Sequence, residues 1–269
     1  MANRIWIVAV AGLALLSAGC QQLKSRDQLN KGVQAFKSAQ YPEAVEHFKT
    51  AVELEPDFSV ARLYLATAYM QQYIPGANSP ENNQMAQAAH DQFMKVLEKS
   101  PTDRTAIASI ASLYLNQSKW DEAKQWYEKL IAVWPDNADA YYSLGFIAWS
   151  EWYPELGKAK AALGMKQEDP GPIKDKKVKE ELRAKYLPIV DAGLAALDKA
   201  LSIRPDYDDA MAYENLLVRE KADLANSKDE YESQIKIADD WFNKTVATRK
   251  DKAEKKGKST GGIVADQPK

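Results

Sequence analysis

The chain has 269 residues, 45% of them hydrophobic and 28% charged, with 36 Lys+Arg against 38 Asp+Glu for a net charge of −2. That balance excludes a global field favouring nucleic acid, and a single Cys excludes an intramolecular disulfide or a thiolate metal cluster. Twelve Gly is low for a turn-dense β architecture, and the many Ala, Lys, Glu, Leu and Gln residues read as a soluble, helical protein.

At the N-terminus Arg4 ends a short positive region, and Ile5 to Ala18 carries no charge. This run fits the apolar part of a secretory signal and falls short of the ~20 residues a helix needs to cross hydrocarbon. Small residues Ser17, Ala18 and Gly19 then lead into Cys20. The stretch resembles the lipobox of bacterial lipoproteins, with Leu16 standing four places before the Cys rather than three. The resemblance implies a signal peptide over residues 1–19 and diacylation of Cys20, two acyl chains giving the stable anchoring that one does not. Gln21, in place of an Asp, implies the outer membrane, facing the periplasm. The competing reading is an ordinary secretory signal, or an uncleaved anchor, with an incidental Cys.

Four later segments end alike, each an amphipathic run into a proline: Pro56, Pro101, Pro135 and Pro205. A small residue stands twelve places earlier (Ala44, Ala89, Ala123, Gly193), and a bulky one eight places earlier (Phe48, Phe93, Tyr127, Leu197). Upstream of these, Gly32, Ala66, Ala111 and Gly145 hold a second small position. Small residues let helices approach, the bulky residue fills the seam, and Pro ends the second helix. This pattern resembles the tetratricopeptide repeat (TPR), a helix-turn-helix unit of about 34 residues. The resemblance implies an all-α, TPR-like helix-turn-helix solenoid of about five repeats, near 25–58, 59–103, 104–137, 138–207 and 208–249. Two carry insertions. One is the turn-rich QYIPGANSPENNQ; the other lies in residues 154–187, read as an added helix in repeat four or as a hidden repeat. The last unit is degenerate, with Glu214 and Asn215 where Leu and Gly belong, and residues 250–269 read as a basic, disordered tail.

In such a solenoid the first helix of each repeat lines a groove. The groove-facing places fall on Leu29, Val33 and Phe36, on Leu63, Thr67 and Met70, on Ala108, Ser112 and Asn116, and on Tyr142, Phe146 and Trp149. The last set makes either an aromatic grip on a partner's peptide or core covered by a helix of residues 173–187, the exposure of so many rings favouring the second. A Lys and Asn clamp for acidic C-termini is absent, since Leu29, Val33, Leu63 and Thr67 occupy its places. His47 and His90 lack companions at ligand spacing, and no phosphate loop or nucleophile–base arrangement stands out. The basic runs at 174–179 and 249–258, interspersed with acids, read as solvated faces. The chain is therefore expected to bind a protein or peptide at the cell envelope without catalysis, metal, cofactor or nucleic acid. That role fits a scaffold in the assembly of an outer-membrane, secretion or pilus complex. The alternative is a cell-wall glycan-binding or enzyme-accessory lipoprotein.

Overall fold

The computed structural model describes the backbone of residues 2–260 and the side chains of residues 20–256. The expected signal segment, residues 1–19, lies outside the described side chains. Cys20, the first residue after it, is exposed. No helix among the described residues is long and apolar enough to cross a membrane.

Helices α1 (Ala2–Lys37) and α2 (Tyr41–Leu54) form a pair, followed by α3 (Ser59–Gln72) with α4 (Pro80–Lys99) and α5 (Arg104–Asn116) with α6 (Trp120–Val133). Next come α7 (Ala138–Ala162) with α8 (Lys176–Ile203), and α9 (Asp208–Lys221) with α10 (Lys228–Thr260). The chain divides into two compact units, residues 1–129 and 130–269.

Local chemistry sets the helix ends. Pro56, Pro101, Pro135 and Pro205 each lie just past a helix, where the missing N–H costs nothing. After two of them an Asx residue caps the next helix: Asp103 accepts from Ala106 N at 2.8 Å, and Asn137 from Ala140 N at 2.8 Å. The turn between the helices of a pair recurs as well. Gln40 N donates to Ala35 O and Lys119 N to Tyr114 O, each skipping over a residue at positive φ, Ala39 at 57° and Ser118 at 56°.

Unit 1 closes around Ala44, Phe48, Leu65 and Ala68, with Val33 and Phe36 packed against them. A methyl carbon placed on Gly32 would lie 2.5 Å from Phe48 Cε1, so only a residue without Cβ lets this ring seat. Gly145 meets Leu197 in the same way in unit 2. Ala66, Ala89, Phe93, Ala111 and Ala123 are fully buried, and Tyr127 nearly so.

The elongated pair of unit 2 differs from the sequence expectation. Residues 154–187 hold neither a hidden repeat nor a separate covering helix. Instead α7 runs on through Pro154 to Ala162, and α8 begins early, at Lys176, and continues through Pro188. The added turns pack on each other and bury Trp152, Leu156, Ile173, Leu182 and Tyr186. Both prolines are exposed, where local solvation satisfies the carbonyl each leaves free. Burial of an added apolar stripe outweighs the helix-breaking tendency of proline, of about 3 kcal/mol.

The C-terminus differs too. Helix α10 extends to Thr260, past the boundary at 249 read from the loss of apolar period. Arg249 and Lys252 hold it to Asp208 and Asp209 at the start of α9. Glu214 and Asn215, the polar substitutions of the last repeat, are buried rather than solvent-facing, and Asn215 donates to Ala238 O at 2.6 Å.

Candidate functional site

In unit 1 the first helices of the pairs carry the expected lining. Leu29, Val33 and Phe36 on α1, Leu63, Thr67 and Met70 on α3, and Ala108 and Ser112 on α5 are all half-buried; Asn116, at the end of α5, is exposed. None is charged. Thr67 donates its hydroxyl to Leu63 O at 2.8 Å, which satisfies the polar group within its own helix and adds a methyl to the apolar strip. Ser112 Oγ turns toward Tyr127 OH, 3.5 Å away.

Beside this strip a cavity of about 440 Å³ is lined by Tyr73, His90, Tyr114, Gln117 and Lys119, among others. His90 Nε2 lies 3.2 Å from Tyr114 OH, and burial pushes the Tyr114 hydroxyl above its usual range. His47 Nδ1 is 2.8 Å from Gln28 Oε1. Both imidazoles thus join helices. No group of three His, Cys, Asp or Glu among the described residues could hold a metal ion.

In unit 2 the rings of Tyr142, Phe146 and Trp149 are half-buried, and what covers them is α9, not the helix of residues 173–187. Tyr213 is the hub. Its ring stands edge-on to Tyr142 at 5.7 Å, to Phe146 at 5.3 Å and to Trp149 at 5.4 Å. Trp149 also stacks on Tyr153 at 4.9 Å and donates its indole N–H to Glu220 Oε1 at 3.0 Å. These are the offset and edge-to-face geometries that ring quadrupoles favour. At the other end Tyr207 packs on Tyr142 and donates to Asp139, and the Arg204 guanidinium grips the same carboxylate with both terminal nitrogens. That charge-assisted fork holds the Asp139 carboxyl below its usual range.

Two carboxyls beside the cluster titrate high. Burial raises Glu220 to about 8 despite the Trp149 hydrogen bond and nearby Lys160, and burial with the Asp198 charge raises Glu214 to about 8. Lys160, itself buried, spends its ammonium on Asp223 at 2.7 Å and on the carbonyls of Gln167 and Asp169. It pins the turn between α7 and α8 against the short 3-10 turn Ala222–Leu224 that follows α9.

The sequence singled out Tyr142, Phe146 and Trp149 but missed Tyr213, Tyr207, Glu220 and Lys160. Tyr213 lies one place after the groove-facing register of α9, so the repeat pattern alone does not flag it. Lys160 reads as an ordinary helix-surface lysine until its partner, 63 positions on, is known.

Comparison with known proteins fits this architecture. Two tetratricopeptide repeat family models match, one over residues 29–104 and the other over residues 111–150. The mitochondrial import receptor subunit TOM70 of Rattus norvegicus is 30% identical over 116 residues, 43% of this chain and 18% of that one. TOM70 of Homo sapiens is 29% identical over 119 residues, 44% of this chain and 19% of that one. The chain thus spans under a fifth of the length of these curated relatives. Among solved structures, a crystal structure of MamA protein covers 91% of this chain and 98% of its own at 16% identity, with a TM-score of 0.56. MamA 41-end from Desulfovibrio magneticus RS-1 covers 85% and 96% at 18% identity, with a TM-score of 0.57. The chain carries tetratricopeptide repeats, and its fold is an all-α, TPR-like helical solenoid.

Proposed function

We propose that this chain is a lipid-anchored scaffold that receives an extended stretch of a partner protein on the lining of its first helices. The observation that carries the reading is the uncharged, half-buried strip from Leu29 through Met70, repeated on consecutive first helices. Half-buried apolar side chains on a rigid support lose little entropy when a partner covers them, so each contact contributes nearly its full transfer energy. The likeness to TOM70, an import receptor subunit, supports a polypeptide as the occupant.

The glycan-binding alternative fits less well. Sugar rings stack on open aromatic faces, whereas Trp149 is stacked on Tyr153 and closed in by Tyr213. Cys20, exposed at the head of the described side chains, is the proposed site of lipid attachment. The anchor places the scaffold at the outer membrane, facing the periplasm, where holding a partner near the surface raises its effective concentration. Assembly of an outer-membrane, secretion or pilus complex is the process this arrangement suits.

The test is a crosslinking pull-down from the native envelope. Met70→Glu places a charge in the strip without touching the buried core; it should abolish capture of the partner taken by the unaltered protein while the far-ultraviolet circular dichroism stays the same. Undiminished capture would reject the strip as the binding surface.

A further inference from the structure

Helix α10 presents a second surface, along the flank next to its contact with α9, where Asp239 and Arg249 reach back to α9 and Phe242 and Val246 face outward. Ala238 and Phe242 repeat the small-and-bulky spacing of the other second helices. There the bulky residue is sealed: Phe48, Phe93 and Leu197 are 0% exposed. Phe242 is 56% exposed and Val246 51%. These two belong to a stripe, Ile235, Asp239, Phe242, Val246, Arg249 and Ala253, whose spacings alternate four and three. Apolar side chains at four of these six places, Ile235, Phe242, Val246 and Ala253, give the stripe the character of a helix-pair seam.

Charge along α10 says which helix fits that seam. Residues 228–243 carry two cations and five anions, a net −3, and residues 244–256 carry six cations and two anions, a net +4. A parallel copy would set like charge on like; an antiparallel copy sets each half on its opposite. Within the stripe, the twofold that places Phe242 on the partner's Val246 also places Asp239 on the partner's Arg249 and Ile235 on the partner's Ala253. One register satisfies all three layers.

We propose that this protein forms a symmetric homodimer through antiparallel contact of two α10 helices, centred on Phe242 and Val246. The shared seam, residues 235–253, is about 27 Å long. Two helices meeting over that length bury less than the roughly 800 Å² per partner of a standard interface, so the dimer is a micromolar one. It uses none of the residues of the proposed partner strip on α1, α3 and α5 and stands independently of that reading.

Sedimentation velocity on the full chain, with Cys20→Ser to remove the thiol, tests the dimer. The mass should pass from one chain to two between about 1 and 200 µM. Phe242→Glu and Val246→Glu, both at half-exposed positions, should stay monomeric at the highest concentration with unchanged circular dichroism. Asp239→Arg should weaken the dimer about tenfold or more, and adding Arg249→Asp should restore it. Asp239 pairs with Arg219 and Arg249 with Asp208 and Asp209 within the chain, so the double exchange breaks those pairs too, and its rescue can come only from contact between copies. A monomer throughout, a dimer indifferent to Phe242→Glu, or a double exchange that fails to rescue would each overturn the proposal.

Discussion

Ala39 holds φ at 57°, in the left-handed region, because the turn from α1 to α2 must reverse the chain in three residues. A Cβ is strained there, so Ala39→Gly should stabilise the protein by about 0.5–1 kcal/mol, read as a higher midpoint in urea. Glu214 makes an opposite demand. Its carboxyl titrates at about 8 in the fold against about 4.5 in the unfolded chain. Between those values the unfolded chain has lost the proton that the fold retains, so this group's contribution falls as pH rises from about 4.5 to about 8 and is level outside that window. Glu214→Gln should therefore raise Tm at pH 8 by several degrees and leave it nearly unchanged at pH 4.5, as scanning calorimetry at both values would record. The substitution of Glu for the usual Leu is visible in the sequence, but its burial is not. A polar residue at an apolar position reads as a worn repeat facing water, and only tertiary packing, which brings Asp198 of α8 near it, removes the solvent.

The elements divide along the same line. Small and bulky residues at fixed distance from a proline located the second helices, because close approach at a helix seam restricts which side chains fit. Residues 154–187 followed no such rule. Pro154 and Pro188 suggest helix ends, and the run of Gly and Ala between them suggests poor packing, yet both helices continue. Tertiary burial of Trp152 and Leu156 overrides the local preference. Lys160 fixes the turn that joins the two extensions. Lys160→Met should leave Asp223 buried without its counter-charge and two carbonyls without a donor, a loss of about 3–5 kcal/mol. Hydrogen exchange should then speed up across residues 163–175 more than in α1 to α4. Uniform exchange throughout would show that the buried pair does not hold the turn.

For the whole molecule, the proposed anchor and the proposed groove make separable demands. Cys20→Ser should move the protein from the membrane fraction to the soluble one and lower its mass by more than the exchanged atoms, while leaving capture of the partner intact; membrane association at an unchanged lipid mass would remove the anchor. The sequence by itself determined the repeat class and the apolar lining of the first helices, because those follow from spacing along one chain and from steric limits that act within a single helix pair. It also marked Tyr142, Phe146 and Trp149 as one face of α7. Only the tertiary structure decided what covers that face, since Tyr213 and Glu220 arrive from a helix some 70 residues away and no local period encodes their approach. The same holds for Phe242. Its spacing is that of a core residue, and its exposure is a property of what packs, or does not pack, along the flank of α10 next to α9.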